Sequence, residues 1–290
     1  MIENILSVDV EEWFHPEALQ HRFPAEIWSE QITRVRQNID NLLELFEQKN
    51  AKATFFILGW VAQEHPEMIR EIAKQGHEIA SHGSFHRMVT KMKPAEFEKD
   101  LSYSLKTLED VSGEKVLGFR APTFSVVKET FWSWEIMLKL GLVYDSSVYP
   151  IWHDRYGVPE APRKMYLALE QDQRQLIEFP MSTMRIFNKN VPFGGGGYLR
   201  IFPEWITRLG IKRVNKEGIP AIVFMHPWEF DTDQPKLNLG KIQTIRHYYN
   251  IKNNISKLAH LLDEFKWISF RDYLDKKSYH NSLLKLSNIN

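Results

Sequence analysis

Residues 82–86 read His-Gly-Ser-Phe-His, two imidazoles with three residues between them, one residue after the apolar pair Ile79-Ala80. Two neutral imidazoles can hold a divalent cation, but a stable site needs further ligands. Carboxylates suited to completing it stand near the start of the chain, at Asp9 and Glu11, with Glu12 beside them. Two histidines and one carboxylate would leave positions open for water and a substrate oxygen. A second, unligated carboxylate could take the water's proton. Arg120, if paired with that carboxylate, would orient it and keep it ionised. His226, on the other side, could protonate a leaving amine. Taken singly, each has an ordinary reading: a capped turn, a packed core histidine, a loop fastened by an ion pair. Taken together they are the equipment of a metal-assisted hydrolysis.

These residues lie far apart in sequence, so the elements between them must bring them together. Ile5 to Val10 is a short apolar run. A helical stripe follows from Trp28 through Ile32, Val35, Ile39, Leu42, Leu43 and Phe46. Ala53 to Leu58 predicts a buried strand. Pro66 opens a helix that Gly76 ends, and His77 to Ala80 is a third strand. Pro94 begins a helix with Phe97, Leu101, Leu105 and Leu108 on one face. Val116–Phe119, Leu142–Tyr144 and Leu176–Phe179 are further strands, and residues 128–140 and 203–217 are helical. Ala221 to Met225 predicts a strand buried on both faces. A long helix with Ile251, Ile255, Leu258 and Leu262 in register and the run Trp267 to Phe270 close the pattern.

Strands alternating with helices imply parallel β-structure with right-handed crossovers. Seven or eight such units favour a closed or nearly closed (β/α) barrel over an open sheet, and in such a barrel the C-terminal strand ends share one mouth. Asp9 and Glu11 follow the first strand, His82 and His86 the third, Arg120 the fourth, Asp145 the fifth, and His226 the late apolar one. All would therefore meet at that mouth. We expect one domain over residues 1–275, with an irregular insertion at about 146–200 and a tail at 276–290.

Composition narrows the chemistry. The 290 residues are 43% apolar, enough for a sizeable core, and contain no cysteine, which excludes disulfides, thiolate ligands and a cysteine nucleophile. Thirty-seven basic and 37 acidic residues cancel without a basic stripe, which argues against a nucleic-acid partner. No apolar stretch approaches the ~20 residues of a membrane span. The N-terminus lacks a basic leader, so the expected location is cytoplasmic.

Several blocks resemble the polysaccharide deacetylases of carbohydrate esterase family four, the NodB-homology domain. They are Ser7 to His15, Thr54-Phe55-Phe56, Gly76 to His86, Phe119 to Ser125, Tyr144 to Ser147 and Phe224 to Pro227. The nearest branch in pattern includes exopolysaccharide-locus and peptidoglycan-deacetylase or allantoinase-like members. The resemblance implies a distorted (β/α)7 barrel and removal of an N-acetyl group from an amino sugar of a polysaccharide or its lipid-linked precursor. It implies Asp9 as general base, His226 as general acid and Arg120 as the group orienting the base. Glu11, His82 and His86 would bind the metal, by default Zn2+, with Co2+, Mn2+ or Fe2+ as alternatives. The family commonly has two adjacent aspartates in its first motif. Here Glu11 shares a strand face with Asp9, and Glu12 remains open as the third ligand. Gly83 stands where the family prefers a hydroxyl, so Ser81 or Ser84 would have to supply that hydrogen bond. The family's tyrosine after Arg120 is absent, and a backbone N–H near Thr123 or Phe124 could stabilise an oxyanion.

Trp13, Thr123, Phe124, Asp145 and Trp228 are expected to contact substrate. Gly194 to Gly197 could bring backbone close to a ligand or form a simple turn. His15 and Glu229 could support the site from behind, whereas His21, His65, His247, His260 and His280 read as surface residues. Two rival functions remain: an allantoinase-like or formamide-type C–N hydrolase, and a carbohydrate-binding barrel without catalysis.

Overall fold

The strands, in chain order, are β1 (Glu3–Val10), β2 (Thr54–Ile57), β3 (Glu78–Ser81), β4 (Gly118–Phe119), β5 (Tyr144–Asp145), β6 (Tyr166–Gln171), β7 (Arg174–Glu178), β8 (Thr183–Ile186), β9 (Lys189–Pro192), β10 (Ile222–Met225), β11 (Lys266–Ile268) and β12 (Leu284–Lys285). The computed structural model describes residues 2–276 and 283–285; the rest of the expected tail, His280 included, lies outside the described residues. Seven strands run parallel in the order β10-β1-β2-β3-β4-β5-β7. This is the distorted (β/α)7 barrel that the resemblance implies, and it agrees with the barrel expected from the alternation. The fully buried β2 and β10 carry continuous apolar or small side chains because helices cover their outer face while the barrel interior fills the inner one.

The distortion lies at one seam. Between β7 and β10 the described residues form no strand ladder; backbone beyond β9 spans the gap. Phe224 N–H donates to Gly194 O (2.9 Å) and Gly196 N–H to Phe224 O (3.2 Å), while Ile222 N–H donates to Ser182 Oγ (2.7 Å). A Cβ on Gly195 would stand 2.1 Å from the Phe224 ring, so only glycine lets this strap lie against β10. The four-glycine run is thus part of the barrel wall. The irregular stretch 146–200 holds two antiparallel hairpins: β6–β7, which extends the sheet, and β8–β9.

Most predicted elements hold with shifted ends. Strands expected at 116–119 and 142–144 shorten and move to β4 and β5. The first helix differs more: it spans Val35–Gln48, while Trp28 sits in a short turn over Ala25–Glu30 and Ile32 is exposed. The cause is not local. Glu12 Oε1 accepts the backbone N–H groups of Arg34 (2.7 Å) and Val35 (2.9 Å), so a distant carboxylate fixes the helix start. Among the described residues, no helix is long and apolar enough to cross a membrane.

Candidate active site

Glu11, His82 and His86 converge at the C-terminal mouth of the barrel, all buried, with their ligating atoms within 4.8 Å of one another. Glu11 Oε1 lies 3.2 Å from His82 Nε2 and 2.9 Å from His86 Nε2. The loop between the histidines is not helical. Gly83 (φ +76°) and His86 (φ +51°) are left-handed, which folds the segment back so that both rings face Glu11. A Cβ at Gly83 would be strained by that φ and would stand 3.1 Å from Asp100 Oδ2, which accounts for glycine in place of a hydroxyl residue. Ser81 Oγ accepts the Gly83 N–H at 3.1 Å, and Ser84 is tied to Asp100.

His82 Nδ1 lies 2.8 Å from the Arg120 carbonyl, an acceptor, so this nitrogen carries the proton and Nε2 presents a lone pair to the site. His86 is held by Gln20, whose Nε2 donates to His86 O (2.9 Å) and contacts Nδ1 (3.1 Å). Burial pushes the Glu11 carboxyl up, but the charges of His86 and His226 and its contacts with the His82 and His86 rings outweigh that and hold the group well below the usual range. Three converging donors, one anionic and two imidazole, suit a divalent ion of Zn2+ type. Among the described residues Glu12 is not part of this cluster: its Oε1 is engaged at the helix start, and burial lifts its carboxyl to about 7.

Asp9 lies two residues before Glu11 on the same side of β1. Its Oδ1 accepts from Arg120 Nη1 at 2.7 Å. Arg120 has no solvent exposure and is fastened by Ser7 Oγ, Ser146 O and Ser146 Oγ, with Phe56 beneath its guanidinium at 4.1 Å. His226 faces the pair: its Nε2 lies 3.9 Å from Asp9 Oδ2 and 3.8 Å from Glu11 Oε1. Its Nδ1 lies 3.3 Å from Glu229 Oε2, which also accepts the His226 backbone N–H at 3.0 Å. Behind Glu229, Arg200 Nε donates at 2.9 Å. Burial opposes the charge on His226, yet Glu11, Glu229 and Asp9 together raise its pKa to about 9. Glu229 falls to about 2 despite burial, through Arg200 and His226.

The cleft over these groups has a volume of about 670 Å³, and Thr123, Phe124 and Trp228 line it as expected. Thr123 and Phe124 both have positive φ, and the Phe124 N–H is already donated to Ala121 O. Two expected substrate contacts are corrected. Trp13 is buried away from the cleft: its Nε1 donates to Ile32 O, and its ring packs edge-on against Phe14 and Phe23. Asp145 is also fully buried, bonded by Trp134 Nε1 (3.0 Å) and the Ser147 hydroxyl, where it braces the loop after β5. His247 is another correction: it is buried and stacks on Trp228, centroids 4.7 Å apart. Sequence reasoning missed Gln20, Tyr149 and Arg200, single residues with no motif around them.

Fold and site together are a parallel (β/α) barrel with a buried Glu/His/His cluster at its mouth. Residues 29–144 match the family model described as polysaccharide deacetylase, and residues 146–275 match one described as a domain of unknown function, DUF3473. Residues 29–144 are thus similar to the polysaccharide deacetylases, and the two matches meet inside one barrel: β10 and His226 come from the second. A peptidoglycan-N-acetylglucosamine deacetylase of Bacillus cereus is 31% identical over 105 residues, 32% of this chain and 49% of that protein. The chain spans about half or less of the curated relatives it matches. A Mycobacterium smegmatis structure assigned to the polysaccharide deacetylases superposes with a TM-score of 0.61 at 20% identity, covering 98% of this chain and 93% of that one. The Puue allantoinase structure gives 0.58 at 18% identity, covering 96% and 91%. These two likenesses establish the fold.

Proposed function

We propose that this chain is a metal-dependent hydrolase that removes an N-acetyl group from an amino sugar of a polysaccharide or its lipid-linked precursor. The observation that carries the reading is the meeting of Glu11, His82 and His86 with the Asp9–Arg120 pair and His226 at one mouth. The chain would act as a single unit over residues 1–275. A bound divalent cation, Zn2+ by default and Co2+, Mn2+ or Fe2+ as alternatives, would acidify water and polarise the acyl carbonyl. Glu11, His82 and His86 would hold it. Asp9, with Oδ1 pinned by Arg120, offers Oδ2 as the base for the attacking water. His226, charged at neutral pH, donates its Nε2 proton to the departing amine, and Glu229 keeps the ring turned for that transfer. The Phe124 N–H being engaged, the Thr123 N–H is the candidate donor to the oxyanion. Phe124 and Trp228 form apolar walls for the sugar. The balanced charge supports a carbohydrate partner over nucleic acid.

Acetate release from N-acetylglucosamine oligomers, with and without a chelator, tests the reading. Activity lost to the chelator, restored by Zn2+ and absent from His82→Ala together with its bound metal is the expected result. A metal-free wild-type protein with unchanged activity would sink it. The likeness to an allantoinase supports a second reading, a C–N hydrolase of small cyclic amides. Turnover of allantoin-type compounds without acetate release from any sugar would select it.

A further inference from the structure

At the outer rim of the cleft, away from Asp9 and Glu11, positive charge outnumbers negative. Lys91, Arg155 and Arg246 line it with one carboxylate, Glu17. Glu17 is shared, one oxygen 3.2 Å from Lys91 Nζ and the other 2.8 Å from Arg155 Nη1. Arg246 has no carboxylate partner among the described residues. It is close enough to be felt electrostatically by His153 and Tyr198, and the nearby Asp154 is already paired with His153 at 2.9 Å. Deeper in the cleft two polar groups wait for a partner: the Tyr149 hydroxyl and the Trp228 Nε1–H, on residues only 1% and 6% exposed. An unmet buried donor is costly, and both residues line the space a substrate would fill.

We propose that the cleft takes a glycan bearing a carboxylate or phosphate beside the N-acyl sugar, and that Arg246 recognises that anion. The sugar's identity rests on the deacetylase reading; the anion does not. A guanidinium presents paired donors that match either group, whereas a neutral N-acetylglucosamine chain leaves Arg246 without a counter-charge. Tyr149 and Trp228 add donors for an acceptor-rich ligand. Lys91 and Arg155, tied to Glu17, hold the rim positive without being free to engage the anion fully.

The test uses the full metal-loaded chain and three probes: a neutral N-acetylglucosamine tetramer, an N-acetylated aminouronic acid oligomer of equal length, and UDP-N-acetylglucosamine. Acetate release and equilibrium binding are both measured. One acidic probe should exceed the neutral tetramer in kcat/KM by about tenfold or more, and the margin should shrink at high salt. The two acidic probes separate carboxylate from phosphate. The Arg246 side chain makes no hydrogen bond or ion pair among the described residues, so Arg246→Gln should abolish the margin through KM, and Arg246→Lys should restore part of it. Equal kcat/KM and equal binding on all probes, or a margin that survives Arg246→Gln, overturns the proposal and leaves deacetylation standing. Arg246-dependent binding of an acidic probe without acetate from any would keep the recognition and remove the deacetylase reading.

Discussion

Replacing Glu229 with glutamine tests how the charge on His226 is maintained. The buried carboxylate lies 3.3 Å from His226 Nδ1. At an effective dielectric constant of about 20, two unit charges at that distance interact by about 5 kcal/mol. That is an upper limit, because Arg200 draws on the same carboxylate, while Asp9 and Glu11 still attract the ring afterwards. A fall in the His226 pKa of about 1–2 units is the expected outcome, since 1.4 kcal/mol is about one unit. The assay is an NMR titration of the ring Cε1–H in metal-free protein, its resonance assigned with His226→Asn. The wild-type midpoint should lie at about 9 and the Glu229→Gln midpoint between about 7 and 8. Stability should follow in sign. A histidine raised from 6.5 to about 9 contributes stabilisation that is present below pH 6.5 and is lost as pH rises through 9. The variant should show a smaller loss across that window, on top of a general drop from leaving Arg200 without its anion. An unmoved or raised midpoint in a folded variant would refute the electrostatic account of this histidine.

Arg120→Leu should cost about 3–5 kcal/mol in urea denaturation and abolish activity, because it strands the buried Asp9 carboxylate without its cation. Adding Asp9→Asn should recover most of that stability without recovering activity. Glu12 supplies a second pH dependence: its carboxyl, raised from 4.5 to about 7, adds stability that is full below pH 4.5 and lost as pH rises through 7. Glu12→Gln should flatten that part of the stability–pH profile, measured by thermal unfolding, and leave metal content unchanged; loss of metal would mean that Glu12, not Glu11, is the ligand.

Much of the site was legible because its members sit at strand ends. The two-residue spacing of Asp9 and Glu11 marks one strand face, and the His82–His86 pair stands directly after β3. Arg120 and His226 follow apolar runs of the same kind. What spacing could not show was the duty of each neighbour. Glu11 and Glu12 are equivalent carboxylates in sequence, yet one turns into the cleft and the other caps a helix that begins at Val35. Trp13 looked like a rim aromatic, but burying its ring against Phe14 and Phe23 while bonding Ile32 O satisfies both ends of the indole.

Periodicity and composition by themselves determined an alternating α/β chain, a barrel with one working mouth, and a site limited to histidine and carboxylate chemistry by the absence of cysteine. Those properties depend on local apolar patterns and residue types, which a linear string carries in full. Only the tertiary structure decided that the barrel closes through a glycine strap against Phe224, that Gln20 and Arg200 stand behind His86 and His226, and that Arg246 reaches the rim without a counter-charge. Each of these depends on which residues meet across long loops, and such contacts leave no periodic trace in the sequence.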